Sequence, residues 1–413
     1  MAAGVFVRGI EMEIITWQKA AIAFAGILVI GIFAMVIVDG TFLHKQYLEP
    51  WTEDYHEQFG DPRVQVLAHG VLAPNSHNLQ SWKVVLEGED SFLLYVDTDR
   101  LSPKADPLGR QVTISQGTFL EYVRIAAEEL GYETDIELFP LGEYGPEGSV
   151  ENLGSKVVAR VSLKETTKET KAGHETEVST SSHLYSMMFL PDTYRVPYME
   201  TKLLQEDVKK LEVLSTENVS IVIFQEAEDI EKLGDIAFRA AEVEAGLERI
   251  QVESSELFRP NEWKKNEFRY GFTMEGQGLS SLKVHLLQSL VSLFPSMNSP
   301  EASRDSFLSQ TVTAVENTPA YALIISKGNS RTVQVETGML YSRFVLTATD
   351  RGYVMQPMSQ ATEEYSEMTG IYQEIHEKYA EEGETVHMLI RVGVPEKEVP
   401  PTMRFDVMDI IEE

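Results

Sequence analysis

The chain has no cysteine among its 413 residues. That excludes disulfides, thiolate metal sites and a cysteine nucleophile, so any electron chemistry must be carried by a cofactor. Basic residues are also scarce: 35 Lys and Arg against 65 Asp and Glu leave a formal net charge of -30. No basic cluster appears either, which argues against a nucleic-acid partner, because such binding is driven largely by Lys and Arg displacing counterions. The nine histidines never fall in a metal-ligand spacing such as H-E-x-x-H, and no metal site is expected. Gly276-Gln277-Gly278 is too short for a dinucleotide fingerprint. Ser76 and His77 are adjacent, and adjacency does not bring a nucleophile to its base, so no Ser-His-Asp arrangement can be argued.

What is present is enough apolar residue, 43%, to bury real cores in one large or two ordinary domains. Ala20 to Val38 carries no charged or hydrogen-bonding side chain, and as a helix at about 1.5 Å per residue it is long enough to cross a hydrocarbon core. Trp17 and Lys19 flank one end; Asp39, His44 and Lys45 flank the other. A cleavable signal peptide and a buried core helix are the rival readings. The run exceeds a usual signal h-region and its Val-Asp-Gly exit lacks a small-x-small cleavage pattern, which favours an uncleaved single-pass anchor. Arg8 and Lys19 before the span, against Lys45 and Arg63 after it, give a slight bias toward an internal N-terminus and an extracytoplasmic body.

Residues 1–44 thus form an anchoring segment with its span at about 20–38. Residues 45–62 are polar and aromatic and read as a juxtamembrane connector, with a helix expected from Gln46 to Phe59. Trp82 to Glu87 and Ser91 to Val96 alternate around a Gly-Glu-Asp turn and predict a hairpin. Val112 to Leu130 has apolar positions at helical spacing and is stopped by Gly131, and Val157 to Leu163 follows as a strand. Residues 63–164 therefore make an α+β unit. Residues 165–182 have almost no apolar content and predict a solvated linker. Residues 183–413 offer a second set: a helix from Thr201 to Leu211, a strand from Val219 to Phe224, and a long helix from Asp229 to Phe258. A strand from Tyr321 to Ser326, a helix from Thr332 to Arg351 and a last strand from Val386 to Val392 complete it. Two similar halves in one chain are what a fused pseudo-dimer would look like. Leu282 to Phe294 with the following run to Ser309 is either an amphipathic core helix or a lid, 282–309.

The segment Ala73-Pro74-Asn75-Ser76-His77-Asn78-Leu79-Gln80-Ser81-Trp82 crowds turn formers and amides ahead of a strand. Pro74 fixes its own backbone angle, Asn75 and Ser76 can bond local backbone, and Asn78 and Gln80 present two-faced amides suited to a planar heterocycle. An ordinary polar loop stiffened by side-chain to backbone bonds is the other reading. Asp106 and Arg110, four residues apart, predict a local ion pair.

This segment resembles the A-P-S-x-H-N-x-Q-P-W signature of the nitroreductase-like flavoproteins, and more closely that of their internally duplicated, Acg-like FMN-binding branch. Later stretches fall in that branch's order: Val96 to Arg100, Ala105 to Gln111, Ile114 to Leu120, Thr193-Tyr194-Arg195, Glu256 to Trp263 and Gly276 to Leu279. Glu336-Thr337-Gly338, Gln356 to Gln360 and Arg391-Val392-Gly393 continue it, so the resemblance covers about residues 60 to 413. It implies two nitroreductase-like halves fused as a pseudo-dimer, FMN held between them, and a chain that can act as a monomer. It further implies NADH or NADPH as electron donor and a small acceptor such as a nitroaromatic or quinone. A lid over the ring would instead make the chain a flavin-storing or sequestering protein without turnover.

By the same resemblance Ser76, His77, Asn78 and Gln80 sit beside the flavin, while Thr193, Arg195, Arg391 and Arg404 approach its phosphate. No catalytic acid or base is nominated, since the flavin can accept hydride directly and solvent can supply protons. Two departures stand out. Pro191 replaces the first Arg of the R-x-T-x-R segment, removing one phosphate contact, and Ser81 replaces the signature's second proline. A flavin-free scaffold is the third reading they open. A strand-end Arg such as Arg391 is also commonly a surface ion pair.

Overall fold

The computed structural model describes residues 2–144, 150–166, 183–277 and 281–412. Most of the expected linker, and Gly278-Leu279, lie outside them.

The chain starts with helix α1 (Ala2–Asp39). Within it Trp17–Asp39 is long and apolar enough to cross a membrane, and none of its apolar window is buried against the body, unlike a core helix. Gly40, at φ 78°, turns the chain out of the helix. The connector does not stand off from the body. Instead of one helix it forms two short 3₁₀ turns, Gln46–Trp51 and Tyr55–Gln58. Pro50 and the extended Thr52 prevent a continuous helix, and Tyr47, Trp51 and Tyr55 are buried.

Two sheets follow. Helix α2 (Pro62–Gly70), strands β1 (Trp82–Glu87) and β2 (Ser91–Val96), helix α3 (Arg110–Glu129), and strands β3 (Tyr132–Leu138) and β4 (Ala159–Glu165) build the first. Its order is β3-β4-β2-β1, extended by the C-terminal strand β9 (Ile411–Glu412), which lies parallel to β1. In the second lobe come helix α4 (Gln205–Glu212), strand β5 (Val219–Phe224) and five helices: α5 (Ala227–Ala245), α6 (Glu248–Glu256), α7 (Glu262–Phe268), α8 (Ser281–Leu293) and α9 (Pro300–Glu316). Strand β6 (Ala320–Lys327), helix α10 (Arg331–Asp350), strand β7 (Val354–Pro357), helix α11 (Thr369–Tyr379) and strand β8 (Glu384–Gly393) complete it. The second sheet runs β7-β8-β6-β5. Apart from β9, every strand pair is antiparallel, and in both sheets the spatial order is third, fourth, second, first.

The hairpin and β5 match their predicted bounds. β3 went unpredicted because Tyr-Glu-Thr-Asp-Ile-Glu-Leu is half acidic, and it lies at the sheet edge with alternate residues exposed. The long helix expected from Asp229 to Phe258 is broken at Gly246-Leu247, where Leu247 is extended.

The lobes meet through α3 and α10, which cross at Gly117 and Gly338. A Cβ on Gly117 would lie 1.9 Å from the Val335 carbonyl oxygen, and one on Gly338 would lie 1.9 Å from that of Ile114. Only glycine lets the backbones come this near. Both helices open on a buried arginine that reaches the opposite lobe. Arg110 donates to the carbonyls of His387 (2.7 Å) and Thr362 (2.5 Å), and Arg331 donates to those of Leu108 (2.6 Å) and Gly109 (3.2 Å). The expected Asp106 to Arg110 ion pair is therefore not what orders that loop. Asp106 accepts from the Val112 amide (3.0 Å), capping α3, while Arg110 faces Glu364.

Candidate functional site

The signature loop, between α2 and β1, carries three of the five non-glycine residues with positive φ among the described residues: His77 (53°), Asn78 (52°) and Gln80 (50°). Each such residue is held against roughly 1 to 2 kcal/mol of steric preference, so the surroundings must over-determine it. They do. Asn75 Oδ1 accepts from the Gln80 amide (2.8 Å), Ser115 Oγ accepts from the Ser76 amide (3.0 Å), and Thr118 donates to the Pro74 carbonyl (2.6 Å). Arg100 donates to the carbonyls of Leu79 (3.2 Å) and Gln80 (2.9 Å).

The amides expected to face a ring are engaged by protein. Asn78 Nδ2 donates to the carbonyls of Gly271 (3.2 Å) and Met403 (3.1 Å), and its Oδ1 accepts from Arg404 (2.9 Å). Gln80 donates to the Arg269 carbonyl (2.9 Å) and accepts from the Phe405 amide (2.9 Å). Both therefore tie the loop to the turn after α7 and to the C-terminal segment. Ser76 donates to Gln111 (2.9 Å), and His77 Nδ1 lies 3.0 Å from Ser102 Oγ with its ring against Phe272. A small pocket lies here, lined by Asn75, Ser76, Leu79, Ser81, Ser102 and Ser115 with Asp106 and Val112.

The cations divide in the same way. Arg391 is buried rather than a surface partner: it donates to Gln356 and to the carbonyls of Val196 and Asn317, and stacks 3.7 Å from the Tyr198 ring centroid. Arg404, also buried, binds Asn78, Asp192 (3.0 Å) and the Leu72 carbonyl (3.0 Å), leaving only Nε without a partner. Arg195 is different. Its guanidinium makes no hydrogen bond or ion pair among the described residues, and neither does the Thr193 hydroxyl. Burial pulls the Arg195 pKa down while Asp192, Tyr198 and Tyr341 oppose that shift. Burial, aided by the nearby Arg195 charge, lowers His77 to about 4, so the imidazole is neutral. His77 and Arg195 are both half-buried.

Asp192 faces both Arg195 and Arg404, so one carboxylate meets two guanidiniums and a positive charge is left over. The Tyr341 hydroxyl, buried in the same surroundings, also lacks a partner. Unused donors around excess positive charge suit an anion, and a phosphate group above all. Pro191, at the start of this segment, contributes neither a cation nor an amide N–H.

Sequence reasoning missed a buried acid pair behind the loop. Gln111, which accepts from Ser76, donates to Glu363 (3.2 Å), and Glu363 faces Glu244. Burial raises both carboxyls, and Glu363 is raised further by the charge of Glu244. No short motif announces this pair, because its members come from α5 and the turn after β7. A third cluster sets Asp39, Glu262 and His285 with candidate ligand atoms within 4.8 Å of one another. Lys265, fully buried and 2.8 Å from Glu262, already supplies a cation there.

The segment read as either a core helix or a lid begins with α8, which packs on α1. Ser289 of α8 donates to the Met35 carbonyl (2.9 Å) and His285 Nδ1 lies 2.7 Å from Asp39 Oδ2, so α8 lies against the end of α1. Phe272 and the turn at Arg269 to Gly271 are what meet the signature loop.

No protein-family model matches the chain. Over 68 residues, 16% of its length, it is 32% identical to the putative NAD(P)H nitroreductase acg of Mycobacterium tuberculosis (strain H37Rv). That match takes in 20% of the relative, so the chain spans about a fifth of the length of the curated proteins it matches. Among solved structures it is similar to a nitroreductase-like family protein from Bacillus cereus, at 12% identity and a TM-score of 0.30, over 56% of this chain and 95% of that one. It is likewise similar to the FMN and NADPH-dependent nitroreductase NfnB from sphigopyxis sp. strain HMH, at 12% identity and a TM-score of 0.33, over 56% and 97% of the two chains.

Proposed function

We propose that this chain, similar to nitroreductase-like flavoproteins, is a fused pseudo-dimer that holds FMN between its lobes and passes electrons from NADH or NADPH to a small acceptor. The observation that carries the proposal is Arg195: a half-buried guanidinium without a hydrogen-bond or ion-pair partner among the described residues, in a segment the resemblance assigns to the phosphate. The repeated strand order and the reciprocal arginines of α3 and α10 support two equivalent halves.

Arg195 and Thr193 would hold the phosphate, with the Tyr341 hydroxyl beside them. When bound, FMN supplies the hydride and electron chemistry, so no side chain need act as nucleophile. The remaining residues position. Asn78 and Gln80 fix the signature loop rather than contact the ring, and Arg404 and Arg391 brace the segments around it. His77, neutral at physiological pH, adds no charge and leaves Arg195 as the anion's partner. The acceptor is a nitroaromatic or quinone by resemblance alone. Helix α1 would anchor the protein in a membrane by a single pass.

The test is a visible absorption spectrum of the full chain, purified in detergent with added FMN, followed by NADPH titration. Stoichiometric flavin bleached by NADPH supports the proposal. Flavin reduced by dithionite alone would make it a flavin-holding protein. A second reading, a flavin-free scaffold, is favoured by Pro191 and by the amides of Asn78 and Gln80 being already bonded. A colourless folded protein that ignores FMN would establish it.

A further inference from the structure

The body presents an apolar surface where α1 leaves it. Phe42, Trp263, Leu286, Leu293, Phe294 and Met297 are exposed, from 46% at Leu293 to 89% at Phe42. Local bonds gather them around one point. Trp263 Nε1 donates to the Ile37 carbonyl (3.1 Å), Ser289 to that of Met35 (2.9 Å), and Asn261, which caps α7, donates to Ser292 (2.8 Å) at the end of α8. Phe42 lies three residues beyond Asp39, and Phe294 and Met297 follow α8 directly.

The bonds also set a level. Residues 17 to 37 of a helix rise about 30 Å, the thickness of a hydrocarbon core, with Trp17 at one limit and Ile37 at the other. Trp263 therefore holds its indole at the level where the span ends, the position that Trp favours at a membrane interface. Helix α8 passes from His285 beside Asp39 to Ser289 beside Met35, running back along α1 toward the membrane side. Leu293 and Phe294 lie one further turn along it.

We infer that this surface, resting on the reading of α1 as a membrane span, is a second and monotopic membrane contact: the ends of α7 and α8 sit in the lipid interface beside α1. A helix flanked by one fixed span cannot lift its apolar tip far from the bilayer, and the tip here carries no charge from Ser289 to Ser299. The occupant is therefore lipid, by continuity with the span itself. The consequence is that the body is held at a fixed tilt against the membrane, not tethered on a free stalk.

Because the chain has no cysteine, single Leu293→Cys and Phe294→Cys variants of the full protein can carry a nitroxide with no background labelling. In phosphatidylcholine vesicles, collision with oxygen should exceed collision with a water-soluble nickel chelate at both positions. Ile27→Cys in α1 should show the same preference more strongly, and Val213→Cys, an exposed apolar site outside the patch, the reverse. Sites 293 and 294 matching 213 while 27 stays in lipid would overturn the contact and leave the anchor standing. Site 27 matching 213 would overturn both. Spin-spin broadening at 294 that disappears on dilution with unlabelled protein would mean a second copy covers the patch, which also overturns the inference.

Discussion

Arg404 donates to the side-chain oxygen of Asn78 at 2.9 Å, joining residues 326 apart in sequence and fixing a left-handed residue of the signature loop from the far end of the chain. The same guanidinium binds Asp192 and the Leu72 carbonyl and lies over the Trp51 ring. Arg404→Ala would break a buried ion pair, leave Asp192 facing only Arg195, and strand the Asn78 amide oxygen and the Leu72 carbonyl. The expected loss is about 3 to 5 kcal/mol, the range for breaking a buried pair from one side. Chemical denaturation in detergent would measure it, and a loss below about 1 kcal/mol would mean that the loop is held by its local bonds alone.

The crossing of α3 and α10 sets Gly338 apart from a helical glycine that has open space around it. Gly338→Ala would set a methyl 1.9 Å from the Ile114 carbonyl, backbone that cannot turn aside, so the helices must separate. The expected effect exceeds the roughly 1 to 3 kcal/mol of ordinary overpacking. Gly370→Ala, in α11 with open space at its Cβ, should instead be neutral or stabilising by up to about 1 kcal/mol through helix propensity. Melting temperatures of the two variants decide it, and equal shifts would show that the crossing can relax.

Much of this architecture was legible in the sequence for a physical reason. Trp82 to Glu87, Ser91 to Val96 and Val219 to Phe224 are short alternating runs next to turn residues, and local pattern determines them. Edge strand β3 was hidden by its acidic outer face. At the site, residue identities were readable but their partners were not. Asn78 and Gln80 look like ligand amides until Met403 and Phe405 arrive from more than 300 residues away. Arg195, Arg391 and Arg404 look alike as letters, and only the fold shows that two are used up while Arg195 has no partner among the described residues.

The Glu244 and Glu363 pair predicts a pH dependence of stability. Burial lifts Glu244 to about 7 from an ordinary 4.5. Between those values the folded state keeps a proton that the unfolded state has lost. Stability is therefore full below about 4.5 and falls as pH rises toward 7, by roughly 3 kcal/mol for a shift of this size. Glu363→Gln removes the second raised carboxyl and keeps a donor beside Glu244, so the fall should shrink and the variant should exceed the parent in stability at pH 8. Denaturation midpoints at pH 5 and pH 8 test this. Parallel curves for parent and variant would show that the pair does not share a proton.

Arg195 separates a binding role from a structural one. A side chain with no hydrogen-bond partner among the described residues contributes little to holding the fold, so Arg195→Ala should leave the melting temperature nearly unchanged, or raise it by relieving a half-buried charge. FMN binding should weaken by about 1 to 3 kcal/mol, the worth of a charge-assisted bond to phosphate. Arg195→Lys should restore part of that, since an ammonium keeps the charge but loses the fork that meets two phosphate oxygens. Inorganic phosphate, which offers the anion without the ring, should compete with FMN for the parent and much less for Arg195→Ala. A destabilised variant with unchanged FMN affinity would reverse the assignment and make Arg195 a structural cation whose counter-charge is Asp192.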